Sequence, residues 1–250
     1  MELQFTNPWL PGDAHVLDAL AQSEITELRL LYDSSNYVFL ADLSHPEYGE
    51  GLGVYKPVAG EAALSDFPYG TLHRREVAAR ELSTLLGWDI IPPVVERDGP
   101  RGIGSMQLFI DHDPDDHYFN LRGDEAYRDQ FVRIAVFDLI ANNADRKGGH
   151  LLLGPQQRIW GIDNALCFHR IDKLRTVVWD FADTEVPATL LADIDRVQSC
   201  IASEDEGSAA FRGLLHPAEV AALLKRADAM RSHPVLPEMY PWRCAPWPLV

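Results

Sequence analysis

The chain has 250 residues, 46% hydrophobic and 24% charged, which is enough for one large domain or two lobes. Its net charge of −16, from 38 acidic and 22 basic residues, argues against general binding to nucleic acid or to an anionic membrane. No apolar run approaches the roughly 18 residues of a membrane-spanning helix, and the first residues lack the basic start of a secretory signal. Three scattered cysteines indicate neither a disulfide framework nor a zinc site, so we expect a cytoplasmic protein.

Short apolar segments separated by turn residues predict three strands near the start of the chain, at 27–31, 37–43 and 52–57. The turn between the first two contains Ser34, Ser35 and Asn36. Their small side chains would let the backbone approach a phosphate group, as glycine-rich loops do, although most turns of this composition are only turns. A polar loop is predicted over 44–53.

A lysine near the end of the third predicted strand is the first residue that suggests chemistry. Because lysine is rarely buried without an anionic partner, Lys56 has two interpretations. It is either an edge residue that discourages pairing with other chains or the lysine that binds nucleotide phosphates. Apolar residues at helical spacing predict a helix over 71–86, ended by Gly87. This helix offers Glu76 and Glu81 as partners for the lysine, and we select Glu76.

Two further strands, at 90–97 and 104–110, follow this helix. The resulting order of three strands, one helix and two strands is that of the small lobe of a kinase. We therefore predict a first lobe over 1–110 and a second over 111–250. The acidic segment 111–117 is interpreted as a solvated linker in preference to a metal site.

The second half carries the densest set of candidate catalytic side chains. A buried helix over 123–142 leads to a polar loop that contains Asp145 and Lys147. Because a hairpin brings its two open ends together, His150 and Asp163 are expected side by side. The two short apolar runs that predict this hairpin are 151–153 and 158–160.

Transfer of a phosphoryl group requires side chains of these types. Two ligands hold Mg²⁺ against the phosphates, one carboxylate orients or deprotonates the attacking hydroxyl, and one lysine neutralises the transferred group. The four residues that could fill these roles are Asp145, Lys147, His150 and Asp163. The other interpretation of the loop is a polar turn that caps the hairpin.

The spacing Asp-x-Lys-x-x-His, from Asp145 to His150, resembles the protein-kinase catalytic loop, in which Asn stands in the place of His. The segment around Asp163 is similar to the metal-binding motif that follows that loop. Over about 27–169 the chain resembles the atypical kinases of the phosphatidylinositol 3- and 4-kinase-like superfamily. Their fold is similar to that of the HipA toxin kinases, and the nearest resemblance is to an actinobacterial family of small proteins. The segments that carry the resemblance, in the same order, are 54–57, 75–79, 104–109, 143–150 and 161–164.

This resemblance implies an α+β, two-lobed protein-kinase-like fold, with a small antiparallel-sheet lobe that contains one helix and a mostly helical second lobe. It implies ATP as the nucleotide, with Lys56 on the phosphates and Glu76 holding the lysine. The residues expected to cover the phosphates are Ser34, Ser35 and Asn36. Those expected to contact the adenine are Gln107, Leu108 and Phe109.

The resemblance also implies roles for the second half. Asp145 would be the catalytic base and Lys147 a contact to the γ-phosphate, while His150 and Asp163 would hold Mg²⁺ or Mn²⁺. Imidazole is a softer ligand than an amide oxygen, so His150 suits Mn²⁺ better than Mg²⁺.

Four functions stay open on the sequence alone. The first is an ATP- and metal-dependent kinase acting on a protein or small-molecule hydroxyl. The second is a nucleotide-binding pseudokinase that acts as a regulator or scaffold, and the third is a nucleotidyl transferase on the same fold. The fourth is an interaction domain without nucleotide, suggested by the acidic composition and by the aromatic, proline-rich segment 240–248. That segment is expected to dock on the protein itself or on a partner.

Overall fold

The computed structural model describes residues 6–31, 36–240 and 243–250. Within these residues one antiparallel sheet has the strand order β1-β2-β3-β5-β4. Its strands are β1 (Glu24–Leu31), β2 (Val38–His45), β3 (Gly49–Pro57), β4 (Val94–Gly99) and β5 (Gly102–Leu108). A separate hairpin consists of β6 (Leu151–Gly154) and β7 (Arg158–Gly161).

The described residues also form seven α-helices, most of them after the sheet. They are α1 (Val16–Gln22), α2 (Leu72–Leu86), α3 (Tyr118–Leu121), α4 (Arg128–Ala141), α5 (Ala188–Ala202), α6 (Ala209–Leu214) and α7 (Pro217–Ser232). None of them is both long and apolar enough to cross a bilayer. From β1 to β5 the order is the predicted one of three strands, a helix and two strands.

Several element boundaries differ from the predictions because polar residues continue or interrupt an element. The predicted loop 44–53 is largely strand, since Ser44 pairs with Glu50 at the exposed end of the β2–β3 ladder. Strand β4 begins only after Pro93, because proline has no N–H to donate to a ladder. Helix α4 begins at Arg128, after a short 3₁₀ turn capped by Asp124.

Strands β3 and β5 separate an apolar core from a cavity. Tyr55 of β3 and Leu108 of β5 are fully buried in a cluster that includes residues of α1. Successive side chains on a strand point to opposite faces, so their neighbours Lys56 and Gln107 face the other way. Both of these neighbours line a cavity between the sheet and the second lobe.

Helix α2 connects the two lobes. At its start Glu61 accepts the N–H of Leu72 at 3.1 Å, and a carboxylate at a helix N-terminus is favourable. It ends at Gly87, whose positive φ of 71° suits glycine. On its buried face Arg75 donates to Glu219 of α7 at 2.5 Å, which ties the sheet lobe to the helical lobe.

Helix α4 lies at the centre of the second lobe, with apolar side chains buried on most of its faces. It ends at Asn142, which has a left-handed backbone with φ of 55°. The Asn142 amide donates to the carbonyls of His169 and Ile171, and its oxygen accepts the N–H of Lys173. These bonds fix the direction in which the chain enters the loop that contains Asp145.

Candidate active site

Lys56 on β3 is held by Glu76 of α2. Its Nζ lies 2.5 Å from Glu76 Oε1, and only 2% of the Glu76 side chain is exposed. The structure thus pairs Lys56 with the residue selected from the sequence, whereas Glu81 pairs with Arg80. The second oxygen of Glu76 accepts the N–H of Asn164 at 2.9 Å. One carboxylate therefore fixes both the lysine and the chain that follows β7.

Asp163 lies after β7 and meets residues from both lobes. Its Oδ1 accepts a hydrogen bond from Lys56 Nζ at 3.0 Å, and its Oδ2 lies 3.3 Å from His150 Nε2. The hairpin therefore brings His150 and Asp163 together, as the sequence predicted. The Asp163 backbone is left-handed, with φ of 56°, which is uncommon for a residue other than glycine.

The charges of this group support one another. Burial disfavours ionisation of Asp163, but the neighbouring Lys56 and His150 lower its pKa well below the usual value. Burial likewise disfavours the charge of Lys56, but Asp163 and Glu76 raise its pKa above the usual value. At neutral pH the group therefore contains a protonated Lys56 beside an ionised Asp163.

A buried ion pair beneath the loop sets the position of Asp145. Arg146 and Asp138 have fully buried side chains, and Arg146 Nη2 lies 3.0 Å from Asp138 Oδ1. Arg146 also donates to the carbonyl of Ile162 and to Asn164 Oδ1, each at 2.7 Å. The loop is thus bonded to helix α4 and to the chain around Asp163. The sequence analysis missed both members of the pair, although an acid within the apolar face of a buried helix was a usable signal.

Asp145 has the properties of a candidate general base. Burial raises its pKa to about 6, although Lys147 acts against this shift. The Lys147 Nζ lies 3.8 Å from Asp145 Oδ2. A carboxylate whose pKa lies near the working pH accepts a proton from a hydroxyl more effectively than an ordinary aspartate does.

These side chains surround a cavity of about 540 Å³, which is within the usual range of small-molecule sites. Apolar side chains from both lobes form part of its wall, including Val54, Phe109, Leu152 and Ile162. The candidate catalytic residues that line it are Lys56, Glu76, Asp145, Lys147, His150 and Asp163. One cavity therefore combines apolar walls with a charged group.

The predicted adenine and phosphate contacts are only partly in this cavity. Gln107 and Phe109 line it, and so does Asn36. The side chain of Leu108 packs on the core face of the sheet, and its N–H donates to the carbonyl of Pro93. A contact of Leu108 with a base would therefore use its carbonyl. The predicted phosphate-covering residues Ser34 and Ser35 lie outside the described residues.

The carboxylates of the cavity fit a divalent cation whose other ligands come from the phosphates of a nucleotide. The described residues bring no three His, Cys, Asp or Glu side chains together around one point. Mg²⁺ commonly needs only one or two protein carboxylates, because phosphate oxygens and water complete its coordination. The carboxylate of Asp163, at the cavity wall and 43% exposed, suits such a site.

His150 is arranged differently. Its Nδ1 accepts the N–H of Lys147 at 3.3 Å, so in the neutral ring the proton is on Nε2, which faces Asp163. Burial lowers the pKa of His150 to about 4, which keeps the ring neutral at pH 7. His150 thus presents an N–H to Asp163 Oδ2 at 3.3 Å, and its role as a metal ligand stays a prediction.

Solved kinase structures share this fold. Hydra Fam20, solved with sugar, has a TM-score of 0.53 at 16% identity over 87% of this chain and 86% of that one. The Golgi casein kinase with Mn/ADP bound has a TM-score of 0.51 at 13% identity, over 88% and 74% of the two chains. The Helicobacter pylori proinflammatory kinase CtkA has a TM-score of 0.54 at 11% identity, over 87% and 94%. The predicted α+β, two-lobed kinase-like fold is therefore confirmed. These neighbours do not confirm the narrower resemblance to phosphatidylinositol kinases.

At the level of sequence, no protein-family model matches the chain. Protein Rv2133c of Mycobacterium tuberculosis is 35% identical over an alignment 278 positions long, gaps included, which covers 96% of this chain and 96% of that protein. Identity at this level over nearly the whole length shows common descent. The chain has an atypical-kinase fold with a charged cavity between its lobes, and it belongs to the family of protein Rv2133c.

Proposed function

We propose that the protein is an atypical kinase that transfers a phosphoryl group from ATP to a hydroxyl of a protein or small molecule, with Mg²⁺ or Mn²⁺. The observation that carries the proposal is the convergence of Lys56, Glu76, Asp145 and Asp163 on one cavity. The binding of Mn/ADP by the Golgi casein kinase, a protein of the same fold, supports the choice of nucleotide and metal. On the basis of the five segments that carry the resemblance, we propose that the protein belongs to the phosphatidylinositol 3- and 4-kinase-like superfamily.

Each side chain has a role that its position supports. Lys56, held by Glu76, binds the phosphates, and Lys147 neutralises charge on the transferred group. Asp163 would hold the cation, with His150 as the second predicted ligand. The cation, when bound, neutralises negative charge that develops on the phosphate oxygens.

Asp145 completes this arrangement by accepting the proton of the acceptor hydroxyl. The hydroxyl oxygen bonds to the γ-phosphorus as the bond to the β-phosphate oxygen breaks, leaving ADP and a phosphate ester. The pKa of Asp145, raised to about 6 by burial, suits this exchange of a proton.

The test is the effect of ATP with Mg²⁺ or Mn²⁺ on thermal unfolding. A ligand at a hundredfold excess over its Kd stabilises the folded state by about 2.7 kcal/mol. We expect this shift in the wild type, dependent on the metal, and its loss in Asp163→Ala. Asp183→Ala is a matched control, because Asp183 is also an aspartate with a left-handed backbone, at φ of 59°, but it is exposed and does not line the cavity.

The outcomes separate the candidate functions. A shift in the wild type and in Asp183→Ala, but not in Asp163→Ala, supports a nucleotide site at the cavity. No shift under any of these conditions rejects the kinase and leaves the interaction domain. Release of pyrophosphate instead of ADP, with AMP bonded covalently to the acceptor, would identify a nucleotidyl transferase.

A second candidate is a pseudokinase that binds nucleotide without turnover. The observation that favours it is that both carboxylate oxygens of Asp163 have close neighbours: Oδ1 accepts a hydrogen bond from Lys56, and Oδ2 lies 3.3 Å from His150 Nε2. A cation must compete with these neighbours. Nucleotide binding with no product under any metal would favour this candidate over the kinase.

A further inference from the structure

Residues 243–250, here called the terminal segment, cross the second lobe and reach the loop that contains Asp145. The carbonyl of Leu249 accepts the N–H of Gly148 at 2.7 Å. Val250 lies against Gly149: a Cβ added to Gly149 would be 3.5 Å from Cγ1 of Val250. Gly149 lines the cavity, and Gly148 directly follows Lys147. The terminal segment therefore meets the candidate active site at its rim.

The first part of the terminal segment is firmly attached. The carbonyl of Cys244 accepts the N–H of Thr176 at 3.0 Å and the indole N–H of Trp179 at 3.3 Å. Pro246 is buried. Thr176 itself belongs to the chain that pairs with Arg146 in a short parallel bridge. This part is thus bonded to the same structure that supports Asp145.

The last four residues are attached differently. None of them is buried, and 88% of Trp247, 40% of Leu249 and 58% of Val250 is exposed. Burial of apolar area supplies most of the free energy that holds a segment in place, so exposed side chains contribute little here. Segments with few buried apolar contacts open locally without unfolding of the whole protein.

We propose that residues 248–250 form a detachable cover on the acceptor side of the active-site loop, which leaves before a polypeptide acceptor reaches Asp145. The inference rests on the proposed function for the identity of the reaction. It adds a regulatory element, an intramolecular contact that competes with the acceptor. Its position supports this role, because Gly148 and Gly149 lie next to Lys147, which we place on the transferred group.

The first experiment compares phosphate transfer to dephosphorylated casein by the full chain and by a variant that lacks residues 248–250. If the cover is in place nine-tenths of the time, the apparent affinity for the acceptor is about tenfold weaker than without it. We therefore expect about a tenfold higher kcat/KM for casein in the deletion variant, with the thermal shift by ATP unchanged. Trp247→Ala is the matched control, because it alters an exposed side chain of the same segment and keeps Leu249. Its kcat/KM is expected to remain that of the wild type.

The second experiment needs no activity and is hydrogen exchange of single amides in the full chain. The amide of Gly148 is bonded to Leu249, whereas that of Arg146 is bonded to Arg175 at 2.9 Å within the body of the lobe. We expect Gly148 to exchange at least about tenfold faster than Arg146, as for local opening. Deletion of residues 248–250 should accelerate Gly148 further and leave Arg146 unchanged.

The two experiments separate failure of the inference from failure of the proposed function. Exchange of Gly148 as slow as that of Arg146 overturns the cover, whatever the activity. Fast exchange of Gly148 with casein transfer equal in the full chain and the deletion variant also overturns it. Absence of any ATP-dependent shift or transfer rejects the proposed function, and hydrogen exchange then decides alone whether the segment detaches.

Discussion

Asp145 is the residue at which function and stability oppose each other most directly. Its carboxyl lies beside Lys147, yet burial raises its pKa to about 6 from an ordinary value near 3.8. Ionisation of the Asp145 carboxyl therefore costs more free energy in the folded protein than in the unfolded chain. This cost is what the proposed role of Asp145 as general base would require, because activity and stability often oppose each other at active sites.

This predicts a stability difference that depends on pH. The folded protein binds the Asp145 proton more tightly than the unfolded chain does, so this group destabilises the protein as pH rises from about 4 through about 6. The shift of about two pH units corresponds to nearly 3 kcal/mol, which screening by solvent reduces to about 1–2 kcal/mol because 30% of the side chain is exposed. Asp145→Asn, which cannot ionise, should therefore be more stable than the wild type by this amount at pH 8. The two proteins should differ little at pH 4.

Urea unfolding of both proteins at pH 4, 6 and 8 measures this difference. Asp183→Asn at the exposed site is the control and should show no such trend. A constant difference between Asp145→Asn and the wild type from pH 4 to pH 8 would contradict the raised pKa.

At the scale of elements, the pairing of β3 with β5 determines where Lys56 lies. Lys56 is opposite Ser105 in this ladder, and Pro57 is opposite Gly104. The two backbones approach so closely that a Cβ on Gly104 would lie 2.4 Å from the carbonyl oxygen of Lys56. Only glycine fits at position 104 without movement of β3. The reason is the lack of space for a side chain, because the φ of Gly104 is one that other residues also adopt.

We therefore predict that Gly104→Ala displaces the backbone of β3. The expected loss of stability is about 1–3 kcal/mol, the usual range for overpacking. The shift should weaken nucleotide binding as well, because Lys56 moves with its strand. Gly123→Ala is the control, since no atom lies within 4 Å of its added Cβ and its φ is not positive. Thermal unfolding with and without ATP measures both effects, and equal behaviour of the two variants would refute the close approach.

For the whole molecule, Arg75 is a buried polar connection between the lobes. Only 2% of the residue is exposed, and its guanidinium donates to Glu219 at 2.5 Å and to the carbonyl of Cys167 at 2.7 Å. It also lies 5.0 Å from the ring centroid of Phe67. These bonds connect α2, α7 and the chain after β7, so the geometry of the cavity depends on them.

Arg75→Met should destabilise the protein by about 3–5 kcal/mol, because it leaves the buried carboxylate of Glu219 without its cation. Arg231→Met is the matched control on α7. Arg231 forms an ion pair with Asp228, but both side chains are more than half exposed, so the expected loss is under about 1 kcal/mol. Chemical denaturation measures both, and equal losses in the two variants would show that Arg75 does not hold the lobes together.

Local features of the sequence predicted much of this arrangement. The order of strands and helices follows from apolar periods of two and 3.6 residues, which are properties of short segments. The meeting of His150 with Asp163 followed from a hairpin. The choice of Glu76 for Lys56 followed from the strand lysine and helix glutamate that pair in kinases. Boundaries were less accurate, as in the predicted loop 44–53, because paired strands extend into polar residues when a partner strand is present.

The tertiary structure decided the contacts between distant parts of the chain. Lys56 and Asp163 are 107 residues apart, and no local pattern joins them. The burial of Arg146 on Asp138 and the contact of Leu249 with Gly148 likewise exist only after the lobes have packed. The sequence thus determined the elements and the residue types of the site, because those depend on neighbours along the chain. Its charge pairing, the raised pKa of Asp145 and the bond of Leu249 to the loop depend on neighbours in space, which only the packed structure supplies.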